Sequence, residues 1–283
     1  MKLSYYPGCS LEATAKEYDA SARTVCAALD VELADLADWN CCGATSAHNL
    51  NRLLALALPA RNLVLAENAG LDLVTPCAAC YSRLRTAEHT LRRGGSAARE
   101  LEEAVGAPFG GRVTVLSLLE AMVKRVGLSA VEERVKRPLT GLKVACYYGC
   151  LLVRPREVTG VERPEDPVWL DDLMRRLGAE VIPWSFKTDC CGASQAITNP
   201  DVSRGLVARL LARAGEAGAD ALVTACPLCQ TNLEMQRPTS QGAPCFYFTE
   251  LMGLAFGLDG ARSWLGRHLV DPFGLLRSLS LID

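Results

Sequence analysis

The sequence is poor in the groups that mark several functional classes. Its 283 residues include only three histidines, so an imidazole-based catalytic or metal centre has little material to draw on. The 30 Lys and Arg residues are balanced by 32 Asp and Glu, and the net charge of −2 offers no basic surface for nucleic acid. No run approaches the roughly 18 apolar residues of a membrane-spanning helix, so none is predicted.

The 13 cysteines stand out against this background. The N-terminal segment lacks the charged and apolar regions of a signal peptide, which predicts a cytoplasmic protein whose thiols stay reduced. The odd number of cysteines and the two adjacent Cys-Cys pairs also argue against a disulfide framework. We therefore expect most of the cysteines to bind metal.

Ten of the cysteines form two copies of one pattern. In each copy, a single cysteine is followed by a Cys-Cys-Gly-Ala segment and then by a C-x-x-C pair. The first set is Cys9, Cys41, Cys42, Cys77 and Cys80, and the second set is Cys150, Cys190, Cys191, Cys226 and Cys229. Flanking residues repeat in the same order, which predicts a tandem duplication with one half at 1–140 and the other at 141–283.

Strands and helices are expected to alternate within each half. Short apolar and β-branched stretches predict strands at residues 3–6, 31–36, 71–75, 143–147, 180–183 and 221–224. Apolar residues at helical spacing predict helices between them, including 13–29, 206–214 and 50–66, the last with a break or a kink at Pro59. This order predicts an α/β fold of two pseudo-symmetric halves, each a mainly parallel, Rossmann-like sheet flanked by helices.

The two cysteine sets would each gather at one edge of a sheet. The single cysteines and the C-x-x-C pairs directly follow predicted strands, and the Cys-Cys-Gly segments lie in the loop after the second strand of each half. Ligands of open α/β sheets bind at the carboxyl ends of the strands. We therefore expect five thiols to converge in each half.

Five thiols per site favour an iron–sulfur cluster over the alternatives. Structural zinc needs four ligands and usually joins two C-x-x-C pairs within about 20 residues, whereas these pairs lie in different halves. A redox dithiol would explain a C-x-x-C pair but not the Cys-Cys-Gly segments. Adjacent cysteines can bind neighbouring irons, and the following glycine lets the backbone approach closely. Zinc in one half stays open as the minor alternative.

The remaining candidates are expected to be structural. Cys26, Cys146 and Cys245 lie within predicted elements, which favours small buried side chains over ligands. His48 follows the first Cys-Cys-Gly segment and is interpreted as a polar surface residue, with substrate contact as the alternative. A basic run is interpreted as a solvated helix face or a surface for an acidic partner, and comprises Arg83, Arg85, Arg92 and Arg93.

The cysteine motifs resemble the duplicated cysteine-rich (CCG) domain found in the B subunit of heterodisulfide reductase. The resemblance covers nearly the whole chain and includes flanking residues such as Tyr6-Pro7-Gly8-Cys9-Ser10 and Ala225-Cys226-Pro227-Leu228-Cys229, which are similar to the bacterial branch. Methanogen members commonly carry histidine where this chain has Leu151. That departure puts in question the methanogen substrate, the mixed disulfide of coenzymes M and B.

The resemblance implies a cofactor, an activity and partners. In that family each CCG motif holds a non-cubane [4Fe–4S] cluster through five cysteines, and the two clusters cleave a disulfide reductively. Here this implies one such cluster on each five-cysteine set, with no catalytic residue outside the ligands. It also implies an electron-donating iron–sulfur subunit of the kind that serves heterodisulfide reductase, a flavin-containing subunit and a small disulfide or thiol as substrate. The alternative is an electron-transfer or anchoring CCG subunit of a complex like succinate dehydrogenase or lactate or glycolate oxidase.

Overall fold

The structure, a computed structural model, describes residues 1–44, 47–239 and 242–283. Within these residues the strands form two four-stranded sheets in which every strand pair runs parallel, with helices flanking both sheets. The strands are β1 Lys2–Tyr5, β2 Glu32–Asp35, β3 Leu73–Thr75, β4 Val115–Ser117, β5 Lys143–Tyr147, β6 Glu180–Val181, β7 Ala221–Thr224 and β8 Cys245–Tyr247. The predicted α/β class with two parallel sheets is confirmed.

Both sheets have the same strand order, β2-β1-β3-β4 and β6-β5-β7-β8. The two central strands of each sheet end side by side, because Tyr5 pairs with Val74 and Tyr147 pairs with Thr224. The loops that leave these strands therefore emerge together at the carboxyl edge of each sheet. The predicted boundary at 140/141 falls in the connection between β4 and β5 and stays a prediction.

The helices connect and flank the strands. They are α1 Gly8–Ala13, α2 Lys16–Ala28, α3 Ala47–Leu50, α4 Arg52–Ala69, α5 Ala78–Arg93, α6 Gly95–Val105, α7 Leu118–Glu120, α8 Leu128–Glu133, α9 Arg156–Thr159, α10 Trp169–Arg176, α11 Pro200–Glu216, α12 Pro227–Met235, α13 Phe248–Phe256, α14 Ala261–Leu265 and α15 Phe273–Ser278. A π-helical segment, Ala121–Gly127, follows α7, and a 3-10 turn, Ala193–Gln195, precedes α11.

Two helix predictions differ from the structure in detail. The helix expected at 13–29 begins later, as α2, and the short helix α1 before it was not predicted; the Ser10 carbonyl accepts the N–H groups of both Thr14 and Ala15 and ends α1. A break at Pro59 is absent, and α4 runs through this residue. Proline removes one backbone hydrogen bond from a helix. Burial of Pro59 and its neighbours against the core compensates for that loss.

Tyr18 of α2 joins the two halves at their centre. Its ring stacks on Tyr247 with a centroid separation of 4.0 Å and an interplanar angle of 6°. Its hydroxyl lies 3.4 Å from the carbonyl oxygen of Pro76 and 3.2 Å from that of Ala225. These two carbonyls directly precede the C-x-x-C pairs of the two sets. One fully buried side chain thus fixes both loops relative to each other.

Replacing Tyr18 with phenylalanine should weaken this junction. The stack on Tyr247 would remain, but two buried carbonyls would lose their donor, which should lower the free energy of unfolding by about 1–3 kcal/mol. The measurement is denaturant unfolding of the anaerobic protein. Tyr5→Phe is the control. It removes the hydrogen bond that the Tyr5 hydroxyl donates to Asp19 at 2.8 Å, but Asp19 would keep the one that Arg23 donates at 2.8 Å. Equal losses in both variants would show that Tyr18 has no special role.

Candidate functional site

The structure brings the predicted ligands together at the carboxyl edges of the sheets. Cys9 lies in α1 after β1, and Cys150 lies in the turn after β5. Each C-x-x-C pair begins at the N-cap of a helix, with Cys77 before α5 and Cys226 before α12. The Cys-Cys-Gly segments lie in loops after β2 and β6.

The first set is partly buried and closely packed. The Sγ atoms of Cys42 and Cys80 are 3.3 Å apart, and the N–H of Gly43 donates to Cys41 Sγ at 3.4 Å. Cys42, Cys77 and Cys80 are buried, whereas Cys9 and Cys41 are exposed. The set therefore extends from the core to the surface.

The second set repeats these contacts. Cys191 Sγ lies 3.6 Å from Cys229 Sγ, and the N–H of Gly192 donates to Cys190 Sγ at 3.3 Å. Cys190 is exposed and Cys150 is half-buried, while the other three thiols are buried. The same donor arrangement thus occurs twice in one chain.

Tyrosines and glycines near the first cysteine of each set fix the loops. The hydroxyl of Tyr6 donates to the carbonyl of Asn40 at 2.9 Å, and that of Tyr147 donates to the carbonyl of Asp189 at 2.7 Å. Asn40 and Asp189 directly precede the Cys-Cys pairs. Gly149 has a φ of +67°, and a Cβ there would lie 3.1 Å from Cys229 Sγ. Glycine is needed at this position for both its backbone and its close contact.

The two sets meet at the junction between the halves. The Cys77 and Cys226 thiols lie close enough to interact, and their interaction raises the pKa of Cys77 and lowers that of Cys226. The sequence repeat aligns the halves but carries no information about their relative placement. This contact was therefore beyond the reach of the sequence.

Thiol–thiol contacts hold individual cysteines in the form that binds metal. Hydrogen bonds from Cys41 and Cys80 lower the pKa of Cys42 to about 3. A hydrogen bond from Cys150 lowers the pKa of Cys190 to about 6. The same contacts raise the pKa values of the partner thiols Cys41, Cys80 and Cys150, so in each contact one thiol is the thiolate that can bind metal and its partner stays protonated.

The three remaining cysteines are buried away from solvent. Burial raises the pKa of Cys26 to about 12 and raises those of Cys146 and Cys245 well above the usual range. Buried thiols with raised pKa values are poor ligands and nucleophiles. This agrees with the packing role predicted for them.

A cavity of about 450 Å³ opens beside the second set. It is lined by all five second-set cysteines and by none of the first set. Residues of the first half close one side, including Ala78 and Ala79 from α5 and the exposed His48 from α3. A small molecule in this cavity would contact the second-set thiols and both halves of the chain.

Arg83 is a residue whose position the sequence did not indicate. The basic run was expected on a solvated face, but Arg83 and Arg85 are half-buried and the Nε of Arg83 has no partner among the described residues. The Arg83 charge contributes to the low pKa of Cys42, after the hydrogen bonds from the neighbouring thiols. Arg85 pairs with buried Glu88 at 2.7 Å. Arg83 and Arg85 are therefore structural residues, not part of a solvated helix face.

A buried charged network behind Cys229 was also missed. The His268 ring lies between two carboxylates, with Nδ1 3.0 Å from Glu234 and Nε2 2.9 Å from Glu250. Gln230, the residue after Cys229, contacts His268 Nδ1 at 3.3 Å and accepts from the Tyr247 hydroxyl at 3.2 Å. These residues come from separate elements, so no spacing in the sequence signalled the network.

The two donor sets fit an iron–sulfur cluster better than a single ion. They consist entirely of thiols, the ligands typical of iron–sulfur clusters and structural zinc. In 1–44, 47–239 and 242–283, no three His, Cys, Asp or Glu side chains surround a point as a single-ion site requires. A cluster distributes its ligands over several irons, so five spread thiols are compatible with it.

The repeat also places the chain among known proteins. The cysteine-rich domain CCG matches residues 3–85 and 144–234. The chain belongs to the CCG cysteine-rich domain family. This CCG protein has one copy of the domain in each half, and its resemblance to the B subunit of heterodisulfide reductase is confirmed by relatives along most of its length.

Three relatives illustrate the range of the family. The CCG protein is 30% identical over 278 residues to the 8-methylmenaquinol:fumarate reductase membrane anchor subunit of Wolinella succinogenes, covering 95% of this chain and 97% of the relative. It is 28% identical to the B subunit of the ferredoxin/F420H2-dependent CoB–CoM heterodisulfide reductase of Methanosarcina acetivorans, covering 91% and 90%. A protein of Archaeoglobus profundus, named as similar to the heterodisulfide reductase B subunit, is 30% identical, with 92% of each chain covered. The first two relatives are named as subunits of reductases.

A solved structure supports the fold alone. A hypothetical protein from Helicobacter pylori matches with a TM-score of 0.72 at 13% identity, covering 95% of this chain and 52% of that one. The CCG protein thus spans about half the length of this structural neighbour. In the part of the chain that the structure describes, no helix is long and apolar enough to cross a bilayer.

Proposed function

We propose that this CCG protein is the iron–sulfur subunit of a reductase complex, in which it cleaves a disulfide reductively or forms one in the reverse direction. The observation that carries the proposal is the pair of matched five-thiol sets, which meet at Cys77 and Cys226 beside a cavity lined by the second set. A function that needed one cofactor would not require two equivalent donor sets. A disulfide reductase needs two electrons for each bond that it breaks.

Each half would hold one [4Fe–4S] cluster, of the non-cubane type implied by the family resemblance, through its own five cysteines. When bound, the clusters would supply one-electron transfer at potentials that hydrogen bonds to the sulfurs adjust. The N–H groups of Gly43 and Gly192 already donate to ligand thiols in the two halves. These donors would stabilise the thiolate charge.

The two halves would have different tasks. The cavity gives a disulfide access to the second set, with Ala78 and Ala79 as the opposite wall and His48 as the imidazole at its rim. The first set does not line this cavity, but Cys9 and Cys41 are exposed. We therefore assign electron entry to the first half and substrate binding to the second.

The proposed partners are those that the family resemblance implies. We propose an electron-donating iron–sulfur subunit like the one that serves heterodisulfide reductase, a flavin-containing subunit further upstream and a cytoplasmic location. The relative named as a membrane anchor subunit of 8-methylmenaquinol:fumarate reductase favours a second candidate function. In that case the chain would relay electrons or anchor a complex without a disulfide substrate of its own.

Anaerobic purification followed by metal analysis and a disulfide assay separates these functions. Two clusters predict about eight irons and a similar amount of labile sulfide per chain. Reduction of a small disulfide by reduced methyl viologen, dependent on the protein, would support the reductase function. Two clusters without disulfide reduction would favour the relay, and zinc without iron would overturn both.

A further inference from the structure

The described lining of the cavity beside the second set combines the five second-set thiols and the His48 imidazole with uncharged side chains. The other lining residues are small, apolar or neutral polar, among them Ala193, Gln195, Ile197, Thr198 and Leu228. No Arg, Lys, Asp or Glu is part of this described lining. Sites that recognise sulfonate, phosphate or carboxylate groups usually present arginine or lysine to them.

The basic side chains that lie near the second set in the sequence pair with groups outside the cavity. Arg154 donates to the Thr188 carbonyl at 3.1 Å and forms an ion pair with Glu165. Lys187 lies 2.8 Å from the buried carboxylate of Asp171. Neither belongs to the cavity lining. Moving either one into the cavity would leave its partner without a counter-ion.

An anionic ligand would therefore enter this cavity at a cost. No cation of the described lining would balance its charge, and a buried anion without a counter-ion is strongly disfavoured. By contrast, alkyl groups can pack against the alanine walls and against Leu228 and Ile197. Ile197 is 94% exposed at the cavity rim, where an alkyl arm of a bound molecule would cover it.

We propose that the cavity selects an uncharged disulfide with short alkyl arms over an anionic one. This inference rests on the proposed disulfide reductase function. In the reaction, the S–S bond of the substrate breaks, two electrons arrive one at a time from a one-electron donor, and two protons are taken up to give two neutral thiols. Reduced methyl viologen supplies the electrons in the assay, and solvent supplies the protons.

Two symmetric disulfides with the same ethyl arms test the proposal. The first is bis(2-hydroxyethyl) disulfide, which is neutral, and the second is bis(2-sulfoethyl) disulfide, which carries a sulfonate on each arm. We expect kcat/KM for the neutral disulfide to be at least about tenfold higher, equivalent to about 1.4 kcal/mol. The comparison is made at the same pH and ionic strength for both disulfides.

A charge introduced into the cavity should reverse part of this preference. Thr198→Lys places a cation on the lining, and it should raise the relative kcat/KM for the sulfonate disulfide at least about tenfold. Val202→Lys is the matched control, because Val202 is 55% exposed on α11 outside the lining and should leave the ratio unchanged. Iron content of each variant verifies that the clusters are retained.

The outcomes distinguish this inference from the proposed function. Equal or faster reduction of the sulfonate disulfide by the unaltered protein would overturn the charge selection and leave disulfide reduction intact. An unchanged ratio in Thr198→Lys would also contradict it. Failure to reduce either disulfide with full iron content would instead overturn the reductase function.

Discussion

Cys229→Ser should remove on the order of half of the iron that the anaerobic protein retains, whereas Cys146→Ser should leave the iron content unchanged. Both cysteines are buried, so the substitutions make the same small change of atom in a similar setting. Cys229 lies 3.6 Å from Cys191 and lines the cavity. Cys146 lies near the carboxyl end of β5 with no thiol partner in the described part of the chain. Iron and labile sulfide per chain, with EPR of the reduced protein, provide the measurement.

The equivalent first-set variant, Cys80→Ser, tests the division of tasks between the halves. It should remove about the same share of iron as Cys229→Ser, but the EPR signal that it removes should be a different one. Because Cys80 is outside the cavity lining, a bound disulfide should still change the EPR signal of the cluster that remains in this variant. Equal iron loss in Cys146→Ser and Cys229→Ser would show that the ligand assignment is wrong.

His268→Leu should lower the free energy of unfolding by about 3–5 kcal/mol, because it leaves two buried carboxylates without their cation. Glu234 and Glu250 are both buried, and the His268 side chain is fully enclosed between them. His268→Gln should lower the free energy of unfolding by less, because an amide can still donate a hydrogen bond to one of the carboxylates. His89→Leu is the control, because His89 is half-buried and has no hydrogen bond among the described residues.

The pH dependence gives this prediction a second readout. Burial lowers the pKa of His268, but the attraction of Glu250 and hydrogen bonds to both carboxylates outweigh it and raise the pKa to about 10. A raised folded-state pKa stabilises the folded protein fully below the ordinary value of about 6.5 and progressively less as the pH rises through about 10. The difference in free energy of unfolding between wild type and His268→Leu should therefore become smaller as the pH rises from about 6.5 to about 10. A difference independent of pH would mean that His268 is neutral in the folded protein.

The sequence predicted most of what lies within each half. The Cys-Cys-Gly and C-x-x-C segments follow apolar strands, and parallel strands bring their carboxyl ends to one edge, so five thiols in each half could be grouped from spacing alone. The later start of α2 was missed because Thr14 and Ala15 have no side chain that marks the beginning of a helix. Backbone hydrogen bonds to Ser10, rather than residue type, decide that boundary.

What lies between the halves could not be predicted. The contact of Cys77 with Cys226 and the placement of Tyr18 depend on how two sheets pack, which periodicity does not report. The sequence also could not show which set lines the cavity, because both sets have the same motif. His48 was expected at the surface with substrate contact as the alternative, and it is both exposed and part of the cavity rim.

The contact between Cys77 and Cys226 has a consequence for how such a chain could arise. It joins equivalent positions of the two copies, so a chain with a single copy could form it only by pairing with a second, identical chain around a two-fold axis. Fusion of two copies makes that pairing permanent and independent of concentration. It also frees each copy to diverge, as the division of tasks proposed for the two halves requires.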